Sequence, residues 1–312
     1  MSGEPAADDD ATHGDPSTWL SQRERGTLLG MRLGFGLAGF VGRRATRPLV
    51  SLVALWYALF DRAAASASRD WQRRIRGRPA TFGEVYRHIR TFTQVTLDRV
   101  FLLTGRMHGL TITRTGSENL DRQLTTGRGA VLLGAHLGSF EAMRAGGSLH
   151  GRPIRILGNF SNARMINALL ERLNPGAAAR VIHLGDDPVG VMASVRGRIE
   201  AGEFVALLGD RVAHEQRFVE VDFLGSPARF PAGPFLLASL LRCPVYLVFG
   251  LYREPGRYEL HCEPFAESLV IPRKDREGAL REWIARYAAR VEEHARSAPD
   301  NWFNFFDFWS RP

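Results

Sequence analysis

The chain has 312 residues, 45% apolar and 24% charged, with a formal net charge of +8 and a pI near 10.2. That length suits one large domain, or one domain with a helical annex, and the composition excludes wholesale disorder. Two cysteines, Cys243 and Cys262, exclude a disulfide framework and a cysteine-rich metal site, and a single lysine, Lys274, disfavours P-loop nucleotide hydrolases and Schiff-base enzymes.

Residues 1–16 carry five acids and no Lys or Arg, so 1–20 reads as a disordered acidic head without the basic-then-apolar pattern of a secretory signal. Residues 23–106 carry sixteen Arg against five acids, an excess larger than that of the whole chain, and 21–106 reads as a basic helical region. Its cleaner apolar stretch, PLVSLVALWYALF, has 13 residues, where about 20 are needed to span a bilayer. Short apolar helices flanked by Arg, with Trp56 and Tyr57 near one end, suit a helical region that lies on or shallowly in a membrane; an ordinary helical hairpin is the plainer alternative. Gly34-x-Gly36-x-x-Gly39, with Asp61 beyond it, is a literal dinucleotide fingerprint. It lacks the flanking strands that such a turn needs, and reads instead as a glycine-rich helix. Thr81 and Glu84 then open a helix to about Thr104 with a capping-box pattern.

From 107 to 312 the texture is α/β. LTITRTG, AVLLGAH, IRILGNF, ARVIHLG and FVALLGD predict buried strands, with helices between them at about 117–126, 139–149, 162–173 and 188–201. FVEVDFLG, PVYLVFGLY and YELHCEPF predict further strands, with a helix from near Pro231 intervening. A long helix over about 275–298 precedes an aromatic tail. The expected fold is a mixed, largely parallel central sheet flanked by helices.

The segment GAVLLGAHLGSFEAMR concentrates the chemistry. An apolar strand ends at His136, Gly138 permits a tight turn, and Glu141 falls on the next helix, at the strand end where α/β proteins gather their ligands. Glu141 is the expected partner of one ring nitrogen, leaving the other to take a proton from a hydroxyl. Arg144, one helical turn on, is a candidate oxyanion or substrate contact. A structural histidine at a strand end is the competing reading. The G-x-S-x-G nucleophile elbow is absent.

AHLGSFE, LLGDR (Leu207–Arg211), FLGSPARFPAGP (Phe223–Pro234) and the tail WFNFFDFW, in that order, resemble the bacterial lipid A biosynthesis (late) acyltransferase family, within the lysophospholipid acyltransferase superfamily. The resemblance covers roughly residues 20–312 and implies transfer of a fatty acyl chain from a thioester, on acyl carrier protein or coenzyme A, to a hydroxyl of a lipid or glycolipid. It implies His136 as general base with Glu141 beside it, and Asp210 and Arg211 as the acidic–basic turn that meets the substrate. Phe230, Pro231 and Gly233 stand where the glycerolipid branch has Phe-Pro-Glu-Gly-Thr-Arg. This chain has Ala232 where that motif has its glutamate and Pro234 where it has its threonine, a departure that points away from glycerol 3-phosphate. Arg164 and Asn167, with Ser161 and Asn162, are candidates for the acceptor groove, although a capped helix explains the latter two equally well.

On this reading no cofactor or metal is required, the partners are membrane lipids and the acyl donor, and the place of action is the cytoplasmic face of the bacterial inner membrane. Nucleic acid is not an expected partner, because the Arg excess lies on apolar helices without a nucleic-acid motif. A non-catalytic lipid-binding or membrane-scaffold protein is the alternative; it would not need His136 and Glu141. The tail, with six aromatics in eight residues, reads as a plug on the sheet, as an acyl-chain contact, or as both.

Overall fold

The computed structural model describes residues 28–148, 151–158, 180–184, 187–212 and 216–309. Arg164 and Asn167, with Ser161 and Asn162, the helix expected at 162–173 and the acidic head fall outside them. Four helices come first: α1 (Leu28–Val41), α2 (Arg43–Phe60), α3 (Arg62–Arg76) and α4 (Phe82–Thr104). The Gly34–Gly39 pattern lies within continuous helix, and the Asp61 carboxylate caps α3 by accepting from the Ala64 amide at 2.9 Å. Both halves of the dinucleotide decoy thus have helical roles. Helix α4 begins with the anticipated capping box: Thr81 and Glu84 satisfy each other's backbone amides.

Next come β1 (Thr111–Thr115), α5 (Glu118–Thr125), β2 (Val131–Gly134), α6 (Phe140–Ser148), β3 (Ile154–Gly158), β4 (Val181–His183), α7 (Pro188–Glu200) and β5 (Phe204–Leu208). A hairpin, β6 (Phe218–Phe223) and β7 (Ser226–Pro231), is followed by α8 (Gly233–Leu241), β8 (Val245–Arg253), β9 (Arg257–Ala266) and α9 (Arg276–Ser297). Seven strands form one sheet in the order β1-β9-β8-β2-β5-β3-β4, parallel except where β8 meets β9. The chain therefore has a mixed, largely parallel sheet flanked by helices.

The helix expected from near Pro231 starts at Gly233, and the segment before it, Ser226–Pro231, is the return strand of a hairpin with β6. The two-residue turn Leu224–Gly225 has positive φ at both positions (54° and 73°), the hand that matches the twist of paired strands. Antiparallel pairing satisfies the backbone of 226–231, so the helix is displaced past it.

The alternation of β2 divides the core. Val131 and Leu133 face a large cluster with Val205, Leu207, Phe249, Ile284 and Tyr287, while Leu132 faces Ala206, Val248, Ile154 and Leu120. The first face is covered by α9 and the second by α5 and α6. The N-terminal helices are joined to this body by polar as well as apolar contacts. Arg43 Nε and Nη2 donate to both oxygens of Asp98, at 2.8 and 3.0 Å, and Tyr258 OH donates to Asp98 at 2.8 Å. Both ions are buried, so removing either one would strand a charge, at about 3–5 kcal/mol.

Candidate active site

His136 stands two residues beyond Gly134, the last residue of β2, and Asp210 stands two beyond Leu208, the last of β5. The two strands are parallel neighbours with Gly134 opposite Leu208, so equal offsets bring the two side chains together. Asp210 Oδ1 lies 2.9 Å from His136 Nδ1, and Oδ2 accepts from the His136 backbone amide at 2.9 Å. Asn304 Nδ2 donates to the same Oδ2 at 3.0 Å. Arg211 completes the network by donating from Nε to Asn304 Oδ1 at 2.6 Å and from Nη2 to the Phe303 carbonyl at 3.1 Å.

Protonation follows from these surroundings. Burial, reinforced by the positive charge of Arg211, outweighs the pull of Asp210 and holds the His136 imidazole below the ordinary histidine range. Burial alone would raise Asp210, but His136, Arg211 and Asn304 together bring it below the usual carboxylate value. Arg211 is itself pushed down to about 10 by burial, against the opposing effect of Asp210. At neutral pH the ring is therefore neutral and Asp210 ionised. A hydrogen bond to Asp210 then assigns the proton to Nδ1 and leaves the lone pair on Nε2. The His136 side chain is 26% exposed while Asp210 is fully buried, which suits a base backed by a fixed carboxylate.

The orienting acid differs from the sequence expectation. Glu141 lies in the first turn of α6, and its carboxylate is paired with the Arg99 guanidinium from α4. Between it and His136, the backbone of 137–139 is committed elsewhere. Gly138 N–H donates to the Asn301 carbonyl at 2.8 Å, and Ser139 N–H to the Gly250 carbonyl at 2.7 Å. Gly138 has φ +79°, and a Cβ there would come within 2.1 Å of the Gly250 oxygen, so no larger residue fits this approach to β8. The loop directs the ring toward β5, and the acid waiting there is Asp210.

The aromatic tail belongs to the site. Phe303 N–H donates to the His136 carbonyl at 2.8 Å, and Leu137 bridges to Trp302 as a short antiparallel pair. Trp302 is fully buried and stacks on Trp71 of α3 at 5.1 Å between centroids. His88 of α4 fixes the tail from the other side: its Nε2 lies 2.5 Å from the Trp302 carbonyl and its Nδ1 2.9 Å from Ser68 Oγ. Burial pushes the His88 pKa down to about 4, so the ring is neutral and donates one proton, to that carbonyl. The tail is thus both a plug and the carrier of Asn304, a polar residue that sequence reasoning passed over among its aromatic neighbours.

The other candidates separate by location. Arg144 lies on α6 near Glu141 and lines an apolar cavity of about 60 Å³ beneath that helix, with Leu132, Phe140, Met143, Ile154 and Val248. His136 is not part of its lining. Phe230 is fully buried, with its ring edge-on to Phe223 and Tyr287. Pro231 is buried beside it, whereas Gly233 is exposed at the start of α8. Phe230 and Pro231 thus supply core packing in the described structure. Among the described residues no group of three or more His, Cys, Asp or Glu could hold a metal ion.

A neutral histidine backed by a buried aspartate thus lies at the carboxyl ends of parallel strands, where α/β proteins gather their ligands. The family model for bacterial lipid A biosynthesis acyltransferase matches residues 91–311. The chain belongs to that family, which places it among the acyltransferases. No curated protein matches the chain.

Proposed function

We propose that the chain transfers a fatty acyl group from an acyl thioester, on acyl carrier protein or coenzyme A, to a hydroxyl of a lipid or glycolipid at a membrane surface. The observation that carries this reading is the His136–Asp210 pair, with Nδ1 engaged and Nε2 left as the basic nitrogen. The acceptor oxygen attacks the thioester carbonyl while its proton passes to Nε2. The tetrahedral intermediate then expels the thiolate, which takes the proton back from the imidazolium. Asp210 stabilises the imidazolium throughout, and no nucleophile from the protein is needed. The apolar cavity beneath α6 is a fitting place for part of the acyl chain, because Gly146 and Gly147 let the helix lie against Leu260 and Ile154. Ala232 and Phe235, in the places of the glycerolipid motif's glutamate and arginine, favour an acceptor larger than glycerol phosphate.

The test is mass spectrometry of lipids from cells with and without the protein. An added acyl mass on a lipid or glycolipid is expected, and its absence across the lipid extract would leave a lipid-binding role instead.

Contact with the membrane is assigned to α1 and α2. Among the described residues no single helix is long and apolar enough to cross a bilayer, although α2 and α3, bent by 93° at their junction, pass such a test together. Phe40 is 91% exposed, and Leu52, Trp56, Leu59 and Phe60 are each more than half exposed, with Arg44, Arg47 and Arg62 on the same segment. An apolar face fringed by Arg suits the interface of an anionic bilayer. Replacing both Trp56 and Phe60 by serine is expected to weaken binding to phosphatidylglycerol vesicles by about tenfold or more, since each buried aromatic contributes about 1.5–3 kcal/mol. Unchanged vesicle binding would remove this face from the membrane.

A further inference from the structure

Asn304 is a neutral side chain held between two opposite charges. It is buried, and it reaches the site from the aromatic tail rather than from a strand of the sheet. Its amide nitrogen donates to Asp210 Oδ2 at 3.0 Å, and its oxygen accepts from Arg211 Nε at 2.6 Å. The neighbours fix which end faces which, because a guanidinium only donates and an ionised carboxylate only accepts. Hydrogen bonding from Arg211 to Asp210 therefore runs through this amide, although the two residues are consecutive in the chain.

The position of the amide bears on the base in two ways. Oδ2 of Asp210 takes two donors, the His136 backbone N–H and the Asn304 amide, which fixes the carboxylate plane and leaves Oδ1 for the ring. The amide also stands between Asp210 and the Arg211 guanidinium. A direct ion pair there would take up negative charge that Asp210 needs to stabilise the imidazolium. Asn304 is itself held from several sides. Phe303 N–H bonds the His136 carbonyl, the Trp302 carbonyl meets His88 of α4, and the Pro299 carbonyl accepts from Trp71 Nε1 of α3 at 2.7 Å. A group fixed by packing and hydrogen bonds in this way can hold its neighbour in one geometry.

We propose that Asn304 is a positioning residue for the general base: its amide orients the Asp210 carboxylate toward His136 and separates that carboxylate from Arg211. Its part in turnover rests on the base role given to His136. Its effect on the bond between Asp210 and His136 does not, and can be read without turnover.

Asn304→Leu, close to asparagine in size but without donor or acceptor, tests this in the full-length chain. Its kcat for acyl transfer should fall by about tenfold or more, with KM for donor and acceptor changed by less than about twofold. The decisive comparison is a double-mutant cycle. In the Asp210→Asn background the same substitution should cost less than about twofold, because a residue that acts through Asp210 has nothing left to position. A purely structural amide would cost as much in either background, and that result would overturn the proposal. Proton NMR reads the bond directly: the His136 Nδ1–H resonance, expected in wild type and absent from Asp210→Asn, should move upfield in Asn304→Leu as the carboxylate turns toward Arg211. An unmoved resonance would also overturn it. Should Asn304→Leu fail to fold, Asn304→Ser serves in its place, since its hydroxyl is too short to bridge both partners. If the resonance moves but the chain transfers no acyl group, the positioning role stands and the proposed reaction falls. Acyl transfer that depends on His136 but not on Asn304 would reject the positioning role alone.

Discussion

Alanine at His136 is expected to lower acyl transfer by about a thousandfold or more while leaving the fold intact. A positioned general base contributes about 10²–10⁴ in rate, and that is the role proposed for His136. The side chain is partly exposed, and its removal leaves Asp210 still bonded to the backbone amide of residue 136 and to Asn304, so loss of activity should not track loss of structure. The measurement is transfer of labelled acyl groups from a thioester in vitro, with circular dichroism as the control for folding. Retention of a tenth of the wild-type rate would take the base role away from His136. The pH profile gives an independent check. Because the folded pKa is lowered, the ring stays neutral from high pH down through 6.5, and kcat/KM should fall only below that, as the ring gains its proton. An apparent pKa above 6.5 for this low-pH limb would contradict the burial and Arg211 field that set it.

The second large effect separates the two acids. Asp210→Asn should cost about a hundredfold or more in kcat, because the amide cannot stabilise the imidazolium and its NH₂ group can force the wrong tautomer on the ring. Glu141→Gln should act differently. It releases Arg99 but leaves the bond between His136 and Asp210 in place, so its kcat should fall by less than about tenfold. The experiment is a pair of steady-state series, with donor and acceptor varied in turn. A large kcat defect in Glu141→Gln beside a mild one in Asp210→Asn would restore Glu141 as the partner of His136 and discard the geometry of the resting site.

The different standing of these two acids shows where sequence information stops. Their spacing from His136 made Glu141 conspicuous, because five residues across a strand end and into a helix is a local relation. Asp210 is 74 positions away, and only the pairing of β2 with β5 puts it opposite the ring. Both residues stood in recognisable segments; which one bonded the imidazole depended on strand order, which no local pattern encodes.

The same division runs through the molecule. Hydrophobic periodicity, the capping box at Thr81 and Glu84, and strand–helix alternation were enough to place the main elements, since those signals come from residues within a turn or two of each other. Ser226–Pro231 was harder: no element was read there, and pairing with β6 across a two-residue turn made it a strand ahead of the helix expected near Pro231. Phe230 and Pro231 are buried as a result.

By itself, then, the sequence determined the α/β class, the family, the position of His136 at a strand end and the basic character of the N-terminal third. Tertiary structure alone decided that Asp210 backs the histidine, that Asn304 reaches the site from the far end of the chain, and that Glu141 faces Arg99. The physical reason is range. Helix and strand formation are governed by contacts between near neighbours, whereas a buried charge is stable only beside whichever distant partner the packed core brings within hydrogen-bond reach.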